Sequence, residues 1–169
     1  MEILQCLESL GIIESKLTLE EFDKSKHMSF ASVIMDMDKE LTKSNAIYNP
    51  AVFDDEESLG KISYEKYIDL LLSNNWRLFL AIYDGVCIGY IHTSPGKYKR
   101  SVYIGSFIVT KTYAGKGYGK RMMTLFEKLV KHEYAIMILN VGINNRAAVK
   151  LYTNAGFHAT HMMMSKKLK

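Results

Sequence analysis

The chain has 169 residues, of which 48% are hydrophobic and 24% are charged, and its formal net charge is +4 at pH 7. These values are ordinary for a soluble globular protein with one sizeable core. No apolar run reaches the roughly 18 residues of a membrane span, and the N-terminal segment lacks the basic start and unbroken apolar core of a secretory signal. We expect one domain over residues 1–169, in the cytoplasm and without a membrane partner.

The two cysteines, Cys6 and Cys87, are far apart and form no C-x-x-C pair. We predict that both are buried free thiols. The five histidines form no H-E-x-x-H motif and no Cys/His cluster with ligand spacing, so no metal site is predicted. The small positive charge is interpreted as a solvated surface, with attraction for a phosphorylated cofactor or a nucleic acid left as the alternative. No clear nucleic-acid site is visible.

The first third of the chain is predicted to be helical. Residues 27–41 carry apolar side chains near one helical face, and these are Phe30, Val33, Ile34, Met37 and Leu41. A polar loop is predicted over residues 42–61, and Ser63 is a candidate cap for the helix that follows.

The middle of the chain is predicted to form β-strands. Two apolar runs meet at Asp84-Gly85, which is a strong hairpin signal, and a third strand starts at Ser101. A glycine loop comes next, and then a helix with one buried face, a nearly all-apolar strand that we expect to be covered on both faces, a capped helix ending at Gly156, and a last strand over residues 157–168. The buried face of the first of these helices is predicted to carry Met122, Leu125, Phe126, Leu129 and Val130. The order predicts an α/β fold with a mixed, mostly antiparallel sheet and helices on both faces.

The glycine loop places Gly115, Gly117 and Gly119 at alternate positions ahead of a helix, with Lys116 and Lys120 between or beside them. Its spacing fits neither the nucleotide P-loop nor G-x-G-x-x-G. A tight turn that only reverses the chain is one interpretation. The other is an anion site, because glycines let successive main-chain N–H groups converge and the helix directs its positive end toward them. The second interpretation predicts a site for a diphosphate.

Two segments together resemble one family. The segment FIVTKTYAGKGYGKRMM resembles the acetyl-CoA motif of the GNAT superfamily of N-acetyltransferases, [QR]-x-x-G-x-[GA] after a strand, with Ala114 at the Gln/Arg position. The segment NRAAVKLYTNAGF resembles the second GNAT motif, N-x-x-A-x-x-L-Y-x-x-x-G-F. The resemblance covers residues 101–157 and implies a single GNAT-like domain.

The resemblance also implies roles for individual residues. The main chain of a splayed strand would bind the pantetheine arm and the thioester of acetyl-CoA, and main-chain amides of the loop would hold the pyrophosphate. Asn145 would bind the cofactor as well as cap a helix, and Tyr152 would be the general acid near the sulfur, with a packing role as the alternative. The strand residues are Phe107, Ile108 and Val109, and the loop residues are Gly115, Lys116, Gly117, Tyr118, Gly119 and Lys120.

The function implied is transfer of an acetyl group from acetyl-CoA to a primary amine by direct attack, with a small amine favoured as acceptor. A peptide, protein or aminoacyl acceptor is the first alternative, and a non-catalytic acyl-CoA-binding module is the second. The sequence leaves open whether subunits pair into a homodimer. The acidic residues 54–57 are interpreted as a solvated loop, with attraction of a cationic acceptor as the alternative.

The third strand contains no Asp, Glu or His that could deprotonate the amine. We therefore expect deprotonation through ordered water, with His92 or Tyr103 as the nearest relay.

Overall fold

The structure is a computed structural model, and it describes residues 16–48, 62–162 and 164. Its strands are β1 (Leu17–Glu21), β2 (Arg77–Tyr83), β3 (Val86–Pro95), β4 (Ser101–Val109) and β5 (Ile136–Leu139). Its helices are α1 (Lys24–His27), α2 (Ala31–Tyr48), α3 (Tyr64–Leu71), α4 (Tyr118–Val130) and α5 (Arg146–Asn154), and a 3₁₀ turn at Met28–Phe30 joins α1 to α2.

The strands form one sheet in the order β1-β2-β3-β4-β5. The first three pairings are antiparallel, and β4 and β5 pair in parallel because α4 crosses over between them. The predicted mixed, mostly antiparallel sheet is confirmed. No helix within the described residues is both long enough and apolar enough to span a membrane.

Helices cover both faces of the sheet, as predicted. On one face, α4 contributes Met122 and Phe126 to a core with Phe79, Ile91 and Ile104. On the other, α2 and α3 close a second core whose members include Ile34, Ile68, Leu80, Tyr90 and Ile108. β3 and β4 are central strands, so their side chains contribute alternately to the two cores.

Local signals in the sequence account for several element ends. Asp84 and Gly85 join β2 to β3 with φ angles of 52° and 78°, as a tight hairpin requires. The Ser63 hydroxyl accepts a bond of 3.3 Å from the main-chain N–H of Lys66 and caps α3. Cys87 is a buried free thiol whose pKa burial raises to about 11. Cys6 lies outside the described residues.

Three expectations about element boundaries were wrong. β1 was not predicted, because a strand of five residues at a sheet edge carries little pattern and is stabilised by its pairing with β2. α2 continues to Tyr48, into the segment predicted as a loop. Residues 157–162, the described start of the predicted last strand, form no strand: residues 158–162 are exposed and pair with no strand among the described residues.

The faces of two helices and one strand also differ from expectation. Val33 is 38% exposed and Leu129 is 52% exposed, whereas Met35 and Met123 are buried in their place. Each helix is rotated relative to the predicted stripe, because the partner surface sets which side is covered. β5 is half-buried or exposed along its length rather than covered on both faces. It is the last strand of the sheet within the described residues, so its outer side lacks a strand partner there.

A bulge in β4 interrupts its pairing with β3. His92 pairs with Ser106 and Thr93 pairs with Ile104, so Gly105 is the extra residue. The Trp76 ring covers this glycine so closely that a Cβ there would lie 2.5 Å from Cζ3 and 2.6 Å from Cη2. Trp76 also packs on the His92 ring at a centroid distance of 4.4 Å. The bulge and the indole ring therefore fit each other.

We predict that Gly105→Ala lowers the free energy of unfolding by about 1–3 kcal/mol, because the methyl group must displace the indole. Trp76→Phe removes the clashing edge, so the double variant should lose less stability than the two single variants combined. Urea unfolding of the four proteins measures this coupling. Additive losses would show that the indole does not constrain Gly105.

The His92 imidazole gives a second prediction. Its Nε2 lies 2.7 Å from the Leu71 carbonyl oxygen, and burial lowers its pKa below the usual 6.5 despite the opposing effects of that bond and of the Asp38 charge. As the pH falls through 6.5, the unfolded chain binds a proton before the native protein does, so the free energy of unfolding should fall. Urea unfolding at pH 7.5, 6.5 and 5.5 should show this slope, and His92→Gln should make it shallower. An unchanged slope would mean that other groups cause it.

Candidate active site

The parallel strands β4 and β5 pair over only half of β4. Their register runs from Ser101 opposite Ile136 to Ile104 opposite Leu139, and β5 ends there. β4 continues for five more residues to Val109, paired with β3 on its other side. Within the described residues, the edge of β4 that faces away from β3 is therefore unpaired over residues 105–109. Such an edge offers main-chain donors and acceptors to a ligand that lies along it.

The glycine loop follows directly at the end of this half-paired strand. Gly115 and Gly117 have φ angles of 75° and 84°, a region that residues with a Cβ enter at a cost. A Cβ at either position would meet no atom within 4 Å, so the glycines meet a backbone requirement rather than a crowded space. The main chain faces open space at both positions.

The loop leads into the N-terminus of α4, where Gly117 is the N-cap and supplies no side-chain cap. The Ala114 amide bonds to Thr110, and the next main-chain donor with a protein partner is Arg121, which bonds to the Gly117 carbonyl at 3.2 Å. Among the described residues, none accepts a hydrogen bond from the amides between these two positions. The arrangement suits an anion. It offers these amides, the positive end of a helix and glycines in the conformations that the loop requires.

The basic side chains around the loop differ in their surroundings. Lys116 and Lys120 are exposed, and the Lys116 ammonium lies 5.8 Å from the centre of the Tyr113 ring. Arg121 is half-buried, with its guanidinium 5.6 Å from the centre of the Tyr118 ring. Lys111 pairs with Glu40 at 2.8 Å and is directed toward α2. Tyr118 is 1% exposed, so of this residue only the main chain is available to a ligand.

Tyr152 lies on α5 against the half-paired strand. Its ring meets the Phe107 ring edge-on at 6.0 Å and the Phe157 ring at 5.7 Å. Burial raises the pKa of its hydroxyl to about 12. The phenol is therefore protonated throughout the neutral range and can donate a hydrogen bond there.

The loop, the strand and α5 meet at Gly119. A Cβ at this position would lie 3.4 Å from the Leu151 Cδ2 and 3.7 Å from the Phe107 Cε1. The structure thus brings together the three segments that carry the predicted site residues. Asn145 is the N-cap of α5, where its side-chain oxygen accepts a bond of 3.1 Å from the Ala148 amide. The predicted cap is confirmed.

The two residues predicted as a proton relay, His92 and Tyr103, lie on the face of the sheet opposite to α4 and Tyr152. Because a carbonyl only accepts, the His92 Nε2 that contacts Leu71 carries the proton. The Tyr103 hydroxyl accepts a bond of 3.2 Å from the Asn140 amide group. Both rings pack against Trp76 beside the bulge. The acidic residues 54–57 lie outside the described residues.

Sequence reasoning missed a polar cluster on this face. The Tyr90 hydroxyl donates to the Asp38 carboxylate at 2.7 Å, and the buried Tyr67 hydroxyl is influenced by the same carboxylate. The sequence carries one signal of this cluster. Asp38 follows Ile34 by four residues, so a charged side chain occupies the apolar stripe of α2.

Known proteins share both the sequence pattern and the architecture. N-acetyltransferase YycN of Bacillus subtilis, an uncharacterized protein, is 33% identical over 94 residues, which is 55% of this chain and 60% of YycN. The match thus spans less than two thirds of the length of YycN.

Two solved structures have the same fold. A mutant of a Bacillus halodurans protein superposes with a TM-score of 0.71 at 14% identity, covering 90% of this chain and 99% of the other. Aminoglycoside N-acetyltransferase AAC(6')-Iy in complex with CoA superposes with a TM-score of 0.58 at 14% identity, covering 93% and 97%.

The model of the acetyltransferase (GNAT) family matches residues 40–157. This range includes the half-paired strand, the glycine loop and α5, and it is well over half of the chain. The chain therefore belongs to the GNAT family of acetyltransferases.

Proposed function

We propose that the protein transfers an acetyl group from acetyl-CoA to a primary amine. The observation that carries this proposal is the unpaired edge of β4 over residues 105–109, which leads directly to the amides of the glycine loop. A thioester ligand needs an extended polar edge for its pantetheine arm and an anion site for its pyrophosphate. Both features lie in one continuous segment of chain here.

The residues present fit acetyl-CoA. The main chain at Phe107, Ile108 and Val109 would bind the pantetheine arm, and the amides from Gly115 to Lys120 would hold the pyrophosphate. The absence of a Cβ at Gly117 lets phosphate oxygens approach the backbone. Lys116 and Lys120 add positive charge at the exposed rim. Asn145 would add a contact from the start of α5, since its amide nitrogen is not used in the cap.

When bound, acetyl-CoA supplies a thioester carbonyl that a neutral amine can attack. A main-chain N–H of the half-paired strand stabilises the negative charge that develops on the carbonyl oxygen. The new C–N bond forms as the C–S bond breaks, the amine gives up a proton to ordered water, and the sulfur leaves as a thiolate that accepts a hydrogen bond from Tyr152. Because the pKa of Tyr152 is about 12, well above that of a thiol, we assign it hydrogen-bond donation to the thiolate rather than full proton transfer.

We propose a small amine as acceptor, with peptide or protein amines as the alternative. The solved structure named as an aminoglycoside N-acetyltransferase, in complex with CoA, supports an amine acceptor and a CoA thioester donor through its shared fold. For deprotonation we retain ordered water. His92 stays the proposed relay because its lowered pKa keeps the imidazole neutral at pH 7, and since its ring lies on the other face of the sheet, water must connect it to the amine.

The anion site predicts a difference between two isosteric substitutions. Asn and Asp have the same size and both tolerate the positive φ of Gly117, so Gly117→Asp and Gly117→Asn differ mainly in charge. We expect the Asp variant to bind acetyl-CoA more weakly than the Asn variant by about 1–3 kcal/mol, because a carboxylate would face the pyrophosphate. Titration calorimetry at low and high salt measures this difference. Equal affinities at low salt would contradict a phosphate site here.

The donor role of Tyr152 predicts a loss of turnover without a loss of cofactor affinity. Tyr152→Phe keeps the ring that packs on Phe107 and removes only the hydroxyl. We expect kcat to fall by about 100-fold, the lower end for a positioned acid, because the raised pKa makes the phenol a weak acid. Tyr98→Phe, at an exposed turn, is the matched control and should leave kcat unchanged. Full activity in the Tyr152 variant would return this residue to a packing role.

A further inference from the structure

A carboxylate without a cationic partner among the described residues lies on the face of the sheet that α2 covers. Asp38 is half-buried, and its carboxylate accepts a hydrogen bond of 2.7 Å from the Tyr90 hydroxyl. Other acidic residues of α2 have basic partners: Asp36 pairs with Lys39 at 3.6 Å, and Glu40 pairs with Lys111 at 2.8 Å. No such ion pair involving Asp38 is formed among the described residues. A carboxylate in that position attracts a cation.

A buried hydroxyl beside this carboxylate also lacks a full hydrogen bond within the described residues. Tyr67 is 2% exposed, and its hydroxyl approaches the Asp38 carboxylate without the geometry of a full hydrogen bond. Burial, and then the negative charge and the hydrogen-bonding influence of Asp38, raise the pKa of the Tyr67 hydroxyl. Native proteins seldom leave a buried hydroxyl unsatisfied, and such a group calls for an explanation. A polar ligand that completes its hydrogen bonding provides one.

The cluster lies beside the part of β4 that the proposed function assigns to the thioester. Tyr90 pairs with Ile108 across the sheet, and the Ser106 hydroxyl interacts with the Tyr90 hydroxyl. Ser106 belongs to the stretch of β4 that β5 leaves unpaired. The titratable groups around the Asp38 carboxylate come from two elements, with Tyr67 on α3 and Tyr90 and His92 on β3. None of these groups is a cation at neutral pH.

We propose that Asp38, Tyr67 and Tyr90 form an ammonium site that anchors a second amino group of the acceptor, which is therefore a diamine or a larger polyamine. This inference rests on the proposed acetyl transfer. An ammonium has three N–H donors and no acceptor. The site contains three groups whose oxygens can accept a hydrogen bond: the Asp38 carboxylate and the two phenols. The three N–H donors of an ammonium therefore match the three acceptor groups of the site.

The amino group held there serves as an anchor and does not react. A carboxylate next to an amine favours the charged ammonium and raises its pKa. An ammonium has no free electron pair, so it cannot attack a thioester. The nitrogen that reacts must therefore be a different one, placed at the unpaired edge of β4 by the anchored end of the same molecule. The acceptor therefore carries at least two amines.

The test compares 1,4-diaminobutane with butylamine, which differ by one amino group. In the wild type we expect a higher kcat/KM for the diamine. Asp38→Asn keeps an oxygen for Tyr90 but removes the charge, and it should reduce the diamine-to-butylamine ratio of kcat/KM by about 10- to 100-fold. Asp36→Asn, on the exposed side of the same helix, is the matched control and should leave the ratio unchanged. The affinity for acetyl-CoA should be the same in all three proteins.

Tyr67→Phe separates a ligand role from a structural one. Since this hydroxyl forms no full hydrogen bond among the described residues, its removal should leave the melting temperature unchanged or higher. The proposal expects KM for 1,4-diaminobutane to rise several-fold with KM for butylamine unchanged. If the melting temperature and the KM values for both amines are all unchanged in Tyr67→Phe, Tyr67 has no role in the site.

Two results would overturn the anchor. The first is an unchanged kcat/KM for both amines in Asp38→Asn. The second is an equal loss with both amines, which leaves the diamine-to-butylamine ratio unchanged and would place Asp38 at the reacting nitrogen instead. If the wild type acetylates neither amine, the proposed function has failed, and calorimetry of 1,4-diaminobutane with the CoA-bound protein still tests the site. Binding that Asp38→Asn abolishes supports the anchor, and absence of binding to the wild type rejects it.

Discussion

The separation of β4 from β5 is the constraint on which the rest of the site depends. Their parallel pairing ends at Ile104 and Leu139, so within the described part of the chain β4 continues with a strand partner on one side only. A central strand with an unpaired edge leaves main-chain groups unsatisfied, which native structures avoid unless water or a ligand completes them. The bulge at Gly105, which the Trp76 ring covers, lies where the pairing of β4 with β5 ends. The function of the chain follows from what this edge can bind.

The glycine loop and α5 are placed by the same separation. The loop takes the chain from the end of β4 into α4, whose buried residues Met122 and Phe126 fix the helix against the sheet. α5 follows β5 and returns Tyr152 to Phe107, across the opening. The packing of α4 and α5 therefore brings the glycine loop and the Tyr152 hydroxyl to the same strand edge, near Phe107. The opposite face carries a separate polar cluster around Asp38, isolated from α4 by the sheet itself.

Motifs with a local physical cause could be predicted from the sequence. The positive φ angles at Gly115 and Gly117, the hairpin at Asp84-Gly85 and the caps at Ser63 and Asn145 each depend on a few neighbouring residues. Features set by distant partners could not. β1 forms because β2 offers an edge, whereas residues 157–162 form no strand although the outer edge of β5 has no strand partner among the described residues. The Asp38 cluster joins three elements, and only the charged residue within an apolar stripe hinted at it.

Amide hydrogen exchange measured by NMR, with and without CoA, tests the central claim most directly. CoA carries the pantetheine arm and the pyrophosphate but has no acetyl group, so the measurement is independent of turnover. The account predicts slower exchange on addition of CoA at residues 107–109 and 115–120, with β1 unchanged as the internal reference. Protection that is uniform across the sheet, or confined to other elements, would contradict the assignment of the unpaired β4 edge and the glycine loop to the cofactor.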